Sequence, residues 1–284
     1  MERKIAIVTD SSCDIPKELA EKYGIDVIDF PINLDGKEYY ERRGMTMDQF
    51  YELMRAAQGV PTTAAITALQ WREVYEAYAD QGYTDVLHVS INSTGSSTYA
   101  NAQQAAEQLR QDRPEMTMRI HLVDSHTYSM VFGWYLCECA RKLRNGGDLR
   151  SCILELESKL GRVEVCLAAF SLKQLKKSGR VSAAAAFAGE LLGLRPVISL
   201  TDGVSKVEAK VRGDAAVIPA MLKWTRTRVD DLRTTPYLLA YTSSTQKRDE
   251  LLKLCKKEFG HPPMYAFQLG GVVSANTGPD CIAI

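Results

Sequence analysis

The order of short apolar runs, polar turns and amphipathic segments in the first half of the 284-residue chain constrains the fold more than any other feature. Apolar runs at 5–8, 85–90 and 119–123 each lead through a turn rich in Ser, Thr or Asp into a helical pattern. Strand–turn–helix units in succession are typical of a mostly parallel sheet covered by helices. We therefore predict an α/β fold whose first half is built from such units.

The pattern changes in the second half of the chain. Residues 195–211 place mixed apolar and polar side chains around the turn Thr201-Asp202-Gly203, which predicts an antiparallel hairpin. We therefore predict two lobes. Residues 1–160 form an N-terminal α/β lobe with a mostly parallel sheet, and residues 161–284 form a C-terminal lobe with a mixed or antiparallel sheet.

Two hydroxyl-rich turns precede predicted helices, Pro61-Thr62-Thr63 and the segment 93–99. Short hydroxyls and free backbone N–H groups at the carboxyl end of a parallel sheet are neutral donors that bind anions. The turns therefore indicate a site that holds an anionic head group without attacking it. The alternative is that Thr62, Thr63, Ser96 and Ser97 cap helices, since Ser and Thr are preferred at such positions.

Composition and charge exclude several classes of protein. The 35 basic residues balance the 35 acidic ones, so nothing indicates a general attraction to nucleic acid or to an anionic membrane. The sequence has no apolar run long enough for a membrane span and no signal-peptide pattern at its start, so we expect a cytoplasmic protein. The seven cysteines and four histidines lack metal-type spacing, and we expect buried, reduced thiols with no metal and no cofactor.

Familiar catalytic motifs are missing or better explained otherwise. The sequence contains no phosphate-binding glycine loop and no Gly-x-Ser-x-Gly elbow. Asp124-Ser125-His126 has the residue types of a catalytic triad, but three adjacent residues cannot adopt its geometry, so we predict a turn. Ser244 starts a Ser-x-x-Lys motif at the beginning of a predicted helix, where an N-cap is expected. A competing hypothesis remains an enzyme that uses Asp10, Asp124 and the serine loops on a carboxylated metabolite.

A series of short motifs resembles the DegV family in order and spacing, and the resemblance spans the chain. These motifs are Val8–Pro16, Pro61–Thr63, Ser96–Tyr99, Val123–Ser125, Lys177–Ser182, Leu191–Ile198, Asp202-Gly203, Val211–Gly213 and Ala275–Pro279. The resemblance implies two α/β lobes with one long-chain fatty acid buried between them. It further implies a carrier rather than an enzyme, which presents the acid to a separate ATP-dependent fatty acid kinase that forms an acyl phosphate.

The resemblance also assigns roles to particular residues. Thr63 and Ser96 are expected to contact the fatty-acid carboxylate. Thr62, Ser97 and Thr277 are secondary candidates for the head group.

Asn276 is the point where the chain departs from the family pattern. It stands where the family has the histidine of a His-Thr-Gly motif, and an amide offers only neutral donors where a histidine can be charged. Asp280 likewise replaces the last glycine of Gly-Pro-Gly. Asn276 is still expected at the carboxylate. Either the head-group geometry is altered, or the ligand is a different carboxylated lipid.

The acyl chain is expected to set the affinity. Removing about 14 methylenes from water at ~0.8 kcal/mol each gives roughly 11 kcal/mol, whereas two or three head-group hydrogen bonds give less, before the costs of binding are subtracted. Apolar residues of the C-terminal lobe are candidates for a tunnel, with ordinary core packing as the alternative: Ala183–Ala186, Phe187, Leu191 and Leu192. Arg180 and Arg212 are candidates for the surface that meets a partner.

Overall fold

The computed structural model describes residues 3–179 and 193–284. Its strands, in chain order, are β1 (Ile5–Asp10), β2 (Ile25–Ile28), β3 (Ile32–Leu34), β4 (Lys37–Tyr39), β5 (Thr62–Thr63), β6 (Asp85–Ser90), β7 (Arg119–Asp124), β8 (Glu164–Ala169), β9 (Leu194–Thr201), β10 (Val204–Arg212), β11 (Leu238–Tyr241), β12 (Tyr265–Gln268) and β13 (Cys281–Ala283). Its helices are α1 (Lys17–Tyr23), α2 (Met47–Ala56), α3 (Ala68–Asp80), α4 (Thr98–Asp112), α5 (Met130–Arg144), α6 (Leu149–Leu160), α7 (Leu172–Ser178), α8 (Val217–Arg226), α9 (Thr245–Phe259) and α10 (Gly271–Thr277). Within these two ranges, no helix is long and apolar enough to cross a membrane.

The chain forms two compact units, each made of two segments. Unit 1 contains the residues up to Pro31 together with Thr63–Val163, and unit 2 contains Ile32–Thr62 together with Glu164–Ile284. The backbone N–H of Ala64 donates to the carbonyl of Pro31 at 3.2 Å, so the chain re-enters unit 1 beside the point where it leaves. The predicted boundary near residue 160 coincides with the last crossing, but the prediction placed residues 32–62 with the first lobe.

Unit 1 contains a four-stranded sheet in the order β2–β1–β6–β7, and every neighbouring pair is parallel. The predicted parallel sheet is therefore confirmed. All six residues of β6 are buried, as expected for a central strand of a parallel sheet. Ser90 pairs with Asp124 at the carboxyl ends of β6 and β7, so the turns that follow these strands leave from the same edge.

Unit 2 contains a six-stranded mixed sheet in the order β10–β9–β8–β13–β11–β12. Among the strands of this sheet in residues 3–179 and 193–284, only β11 and β12 run parallel to each other. The predicted hairpin is present as β9 and β10, joined at Thr201 and Val204. Its core packs α8 and α9 against the sheet, with buried residues such as Val197, Met221 and Leu251.

Local sequence signals explain where several helices begin. The patterns Thr46-x-x-Gln49 and Thr67-x-x-Gln70 predict capping boxes with helices at about 47–58 and 68–80, and both boxes are present at the starts of α2 and α3. Ser244 accepts a hydrogen bond from the N–H of Lys247 at 3.2 Å, so the Ser-x-x-Lys motif is a helix cap, as predicted.

The thiols agree with the sequence-based expectation. All seven cysteines are free and buried. Burial raises the pKa of the Cys137 and Cys255 thiols to about 12, which keeps both protonated at neutral pH. These side chains therefore contribute packing rather than reactivity.

Candidate functional site

The carboxyl edge of the unit 1 sheet carries a cluster of acids and hydroxyls held by a dense hydrogen-bond network. Asp10, the last residue of β1, is completely buried. Its carboxylate accepts hydrogen bonds from the Ile91 N–H at 2.8 Å, the Ser12 N–H at 3.2 Å and the Ser90 hydroxyl at 3.3 Å, and also from the Ser12 hydroxyl. The acid therefore ties the turns after β1 and β6 together.

Burial and hydrogen bonding shift the pKa of Asp10 in opposite directions. Loss of hydration raises its pKa to about 6, although the bonds from Ser12, Ile91 and Ser90 favour the ionised form. A raised carboxyl pKa is a common sign of a general acid. Here, however, both oxygens are occupied by protein donors and the group has no exposed surface, so its role is structural.

The turn after β6 presents Ser96 on a small hydroxyl network. The Ser96 Oγ lies 2.9 Å from Thr98 Oγ1 and accepts the Thr98 N–H at 3.3 Å. Thr98 Oγ1 in turn accepts the Ile66 N–H at 3.3 Å, and the side-chain amide of Asn101 donates to the Ile66 carbonyl at 2.8 Å. Within unit 1, the segment that follows Thr63 is thus fastened to the turn that carries Ser96.

The other predicted hydroxyls differ in their surroundings. Thr63 is half-buried, whereas Thr62 and Ser97 are exposed. Ser97 occupies the N-cap position of α4 but makes no capping bond with its side chain, and α3 is capped by Thr67 instead. Capping therefore does not explain Thr62, Thr63 or Ser97. For Ser96 it is part of the explanation, since its oxygen accepts an N–H in the first turn of α4.

The Asp124-Ser125-His126 segment is a turn, as predicted, and not a triad. The Ser125 hydroxyl is fully buried and donates to the Thr127 carbonyl at 3.0 Å. Asp124 accepts the N–H groups of Ser93 at 3.1 Å and His126 at 3.0 Å. The Asp10 and Asp124 carboxylates both accept hydrogen bonds from backbone N–H groups of neighbouring turns, and Asp10 also accepts them from hydroxyls. The geometry therefore does not favour the hypothesis of an enzyme that uses these acids.

Tyr128 is a site-forming residue that the sequence did not reveal. Its hydroxyl accepts the side-chain amide of Asn92 at 2.8 Å, and it lies 2.1 Å from where a Cβ at Gly95 would stand. Any side chain at 95 would collide with it, so glycine allows Tyr128 to brace the turn. The only sequence signal was a glycine within a run of hydroxyl residues.

In unit 2, Asn276 and Thr277 lie in the last turn of α10. The Asn276 side-chain amide donates to the Val272 carbonyl at 2.9 Å, and one N–H hydrogen and the side-chain oxygen remain for other partners. The Thr277 hydroxyl donates to the Val273 carbonyl at 3.3 Å and is buried.

Helix α10 is positioned by residues of the Ile32–Thr62 segment, which belongs to the same unit. The Glu41 carboxylate accepts the Gly271 N–H at the start of the helix, where the helix dipole favours a negative charge. The Tyr51 hydroxyl donates to the Leu269 carbonyl and lies 2.9 Å from the Ser274 hydroxyl. These contacts fix the helix that carries Asn276.

The remaining candidates are the two partner-surface arginines and the residues of the expected tunnel. Arg212 is exposed at the end of β10. Arg180 and the proposed tunnel residues Ala183–Ala186, Phe187, Leu191 and Leu192 lie outside the described residues. In the two described ranges, no group of three or more metal-ligating side chains could hold an ion.

Comparison with known proteins agrees with this architecture. Residues 4–284 match a family described as "Uncharacterised protein, DegV family". A DegV domain-containing protein of Staphylococcus aureus strain N315 is 28% identical over 278 residues, which cover 97% of this chain and 94% of that protein. These two matches extend over nearly the whole chain.

Solved structures match as well. A DegV family protein from Thermus thermophilus, described by its fatty acid binding, superimposes with a TM-score of 0.82 at 26% identity and covers 99% of this chain and 98% of its own. A stearic acid-binding protein from Eubacterium ventriosum ATCC 27560 shares the fold with a TM-score of 0.89 at 22% identity, covering 98% and 96%.

Two α/β units, one with a parallel sheet and one with a mixed sheet, define the architectural class. The match over residues 4–284 then identifies the family: the chain belongs to the DegV family.

Proposed function

We propose that this chain is a non-catalytic carrier that binds a long-chain fatty acid and holds its carboxylate with the hydroxyls of Thr63 and Ser96. One observation carries the proposal. The half-buried Thr63 hydroxyl makes no hydrogen bond within the described residues, and its segment is fastened to the Ser96 turn. The likeness to the Thermus thermophilus protein, which is described by its fatty acid binding, agrees with this ligand class.

The network around Ser96 suits an anion. If the Thr98 hydroxyl and N–H both donate to Ser96 Oγ, the hydrogen of Ser96 points away from the network and can be donated to a carboxylate. The hydroxyl of Thr63 supplies a second neutral donor. We propose the free amide hydrogen of Asn276 as a third, and Thr62, Ser97 and Thr277 as weaker contributors.

The acyl chain supplies most of the binding free energy in this proposal. Burying about 14 methylenes gives roughly 11 kcal/mol, against about 1.5 to 3 kcal/mol for each hydrogen bond to a charged head group. The hydroxyls therefore select a carboxylic acid and orient it, and the tail sets the preference for chain length.

The direct test is to denature the purified protein and analyse the extract by mass spectrometry. We expect a C14 to C18 fatty acid in near-stoichiometric amount. An empty protein that turns over a carboxylated metabolite by itself would instead establish the enzyme hypothesis.

The head-group assignment is tested by Thr63→Ala combined with Ser96→Ala. Loss of two hydrogen bonds to a carboxylate is expected to weaken fatty-acid binding by roughly a hundredfold to ten-thousandfold, measured by titration with a fluorescent fatty acid. The matched control is Ser93→Ala, which removes an exposed hydroxyl from the turn that carries Ser96 and lies outside the proposed head-group contacts. Equal affinities for the double variant and this control would show that Thr63 and Ser96 do not hold the head group.

We further propose that the bound acid is presented to a separate ATP-dependent kinase, with Arg180 and Arg212 at the partner surface. The protein alone, incubated with fatty acid, ATP and Mg²⁺, is then expected to form no acyl phosphate, as measured by hydroxylamine trapping. Acyl phosphate formed by the protein alone would place the phosphoryl transfer in this chain.

A further inference from the structure

Unit 2 contains an open groove in the Ile32–Thr62 segment, and none of the lining residues described for it is Thr63, Ser96 or Asn276. The groove has a volume of about 660 Å³ and lies between one face of α2 and the β4 strand with the loop that follows β4. The volume is within the usual range of ligand sites, roughly 300 to 1,000 Å³. Most of its lining residues are exposed, however, so the groove does not enclose a small molecule.

One wall of the groove is a helical stripe. Gln49, Glu52, Leu53 and Ala56 follow the spacing i, i+3, i+4, i+7, which places them on one face of α2 over about two turns. The opposite face of α2 is buried through residues such as Phe50. Leu53 is 37% exposed and lies on this face beside Ala56, so the two side chains give the stripe an apolar part that a partner can cover.

The other wall is aromatic, and a cation of the protein already packs on it. The Arg43 guanidinium lies 4.3 Å from the centre of the Tyr40 ring, and the Tyr40 hydroxyl donates to the Glu38 carboxylate at 2.7 Å. An alkyl chain ending in a cation thus packs on this wall beside a carboxylate. Tyr39 and Met45 extend the apolar surface, and both are half-buried.

The charges of the lining favour a cationic occupant. Glu38 and Glu52 both line the groove, whereas Arg43 is the one basic residue among its described lining residues and lies over the Tyr40 ring. An open groove that combines Leu53, Ala56 and aromatic rings with two acids matches an amphipathic helix with leucine-type side chains on one face and lysine or arginine beside them.

We propose that this groove binds a basic amphipathic helix of a partner protein. The helix places its apolar stripe on Leu53, Ala56 and the aromatic wall, and its cations meet Glu38 and Glu52. None of the described residues that line the groove belongs to the proposed head-group site, so the peptide test does not require the fatty-acid proposal to hold.

The test uses the full-length protein and a fluorescently labelled 14-residue synthetic peptide with leucines at i, i+3, i+4 and i+7 and lysines at flanking positions. A peptide with glutamates in place of the lysines controls for charge. We expect saturable anisotropy binding of the lysine peptide, at least tenfold weaker binding by Leu53→Asp, and several-fold weaker binding by Glu38→Gln with Glu52→Gln.

The matched control for Leu53→Asp is Leu154→Asp, which alters a leucine that is 58% exposed on α6 of unit 1. It is expected to bind the peptide like the wild type. Thermal melts of Leu53→Asp and of the milder Leu53→Gln verify folding, since the side chain is on the surface. The proposal is overturned if the wild type shows no saturable binding, if the glutamate peptide binds equally well, or if Leu154→Asp weakens binding as much as Leu53→Asp.

Discussion

At the scale of single residues, the buried Asp10 carboxyl makes the free energy of unfolding depend on pH. Its folded-state pKa of about 6 lies above the unfolded value of about 3.9, so the folded state binds more protons between these two values. Stability therefore decreases as the pH rises from about 4 to about 6. The contribution of this one group falls by on the order of 2 to 3 kcal/mol across that window.

Asp10→Asn removes this titration. The asparagine variant is expected to be less stable than the wild type, because its amide cannot accept all the donors that surround Asp10. The difference in unfolding free energy should be largest near pH 4 and narrow toward pH 7, measured by urea titration. Asp230→Asn, at an exposed acid, is the control for the amide substitution itself. A difference for Asp10→Asn that stays constant between pH 4 and pH 7 would refute the assignment.

The sequence indicates which turns are rich in hydroxyls, but not how these turns are connected. Hydroxyls before predicted helices pointed to the two turns, and the resemblance to the DegV family selected Thr63 and Ser96 within them. The contact that fastens their turns joins Ile66 to Thr98, which are 32 positions apart. No local pattern encodes a bond of this range, so the network could only be found in the folded structure.

At the scale of elements, Gly271 controls the position of the helix that carries Asn276. A Cβ at this position would stand 2.9 Å from Ile32 Cδ1 and 3.3 Å from Phe50 Cε1, closer than ordinary contact. Gly271→Ala is therefore expected to reduce the unfolding free energy by about 1 to 3 kcal/mol through overpacking. Gly161→Ala, where the nearest atom is 3.4 Å away, is the control and should change the melting temperature much less. Equal melting temperatures for both variants would show that α10 can shift without cost.

Helix α10 also shows why some elements escape sequence reasoning. The sequence of residues 270–279 does not predict a helix, since glycines and β-branched residues have low helix propensity. The helix forms because Glu41, Tyr51 and Ile32 hold it in place. By contrast, α2 and α3 carry their capping boxes within their own sequence and were predicted correctly.

For the whole molecule, the two-segment construction of unit 1 leads to an excision experiment. The Ala64 N–H donates to the Pro31 carbonyl at 3.2 Å, so a few glycines can replace residues 32–62 without straining the ends. A chain that ends at Val163 and carries this replacement is expected to fold, with a cooperative thermal transition in circular dichroism. Residues 63–163 alone should remain unfolded because they lack β1, which lies between β2 and β6. The opposite result, a disordered joined chain, would show that unit 1 is not self-sufficient.

The placement of residues 32–62 lay beyond what the sequence could predict. Apolar periodicity identifies strands such as β3 and β4, but not the unit that they join. The parallel direction of the strands in unit 1 followed from the repeated strand–turn–helix units. The place of residues 32–62 in unit 2 instead depends on contacts between residues far apart in the chain, such as that between Tyr51 and Leu269.

The Thr98 hydroxyl described above has a consequence for the kinetics of ligand exchange. Because it links the Ile66 backbone to Ser96, the two turns are ordered before any ligand arrives. Preorganised donors lose little conformational entropy on binding, so affinity gained in this way is expressed as slow dissociation rather than fast capture. For the carrier that we propose, this predicts that the fatty acid is retained through random encounters and is released when a partner breaks the hydrogen bonds of Thr98 to Ile66 and Ser96.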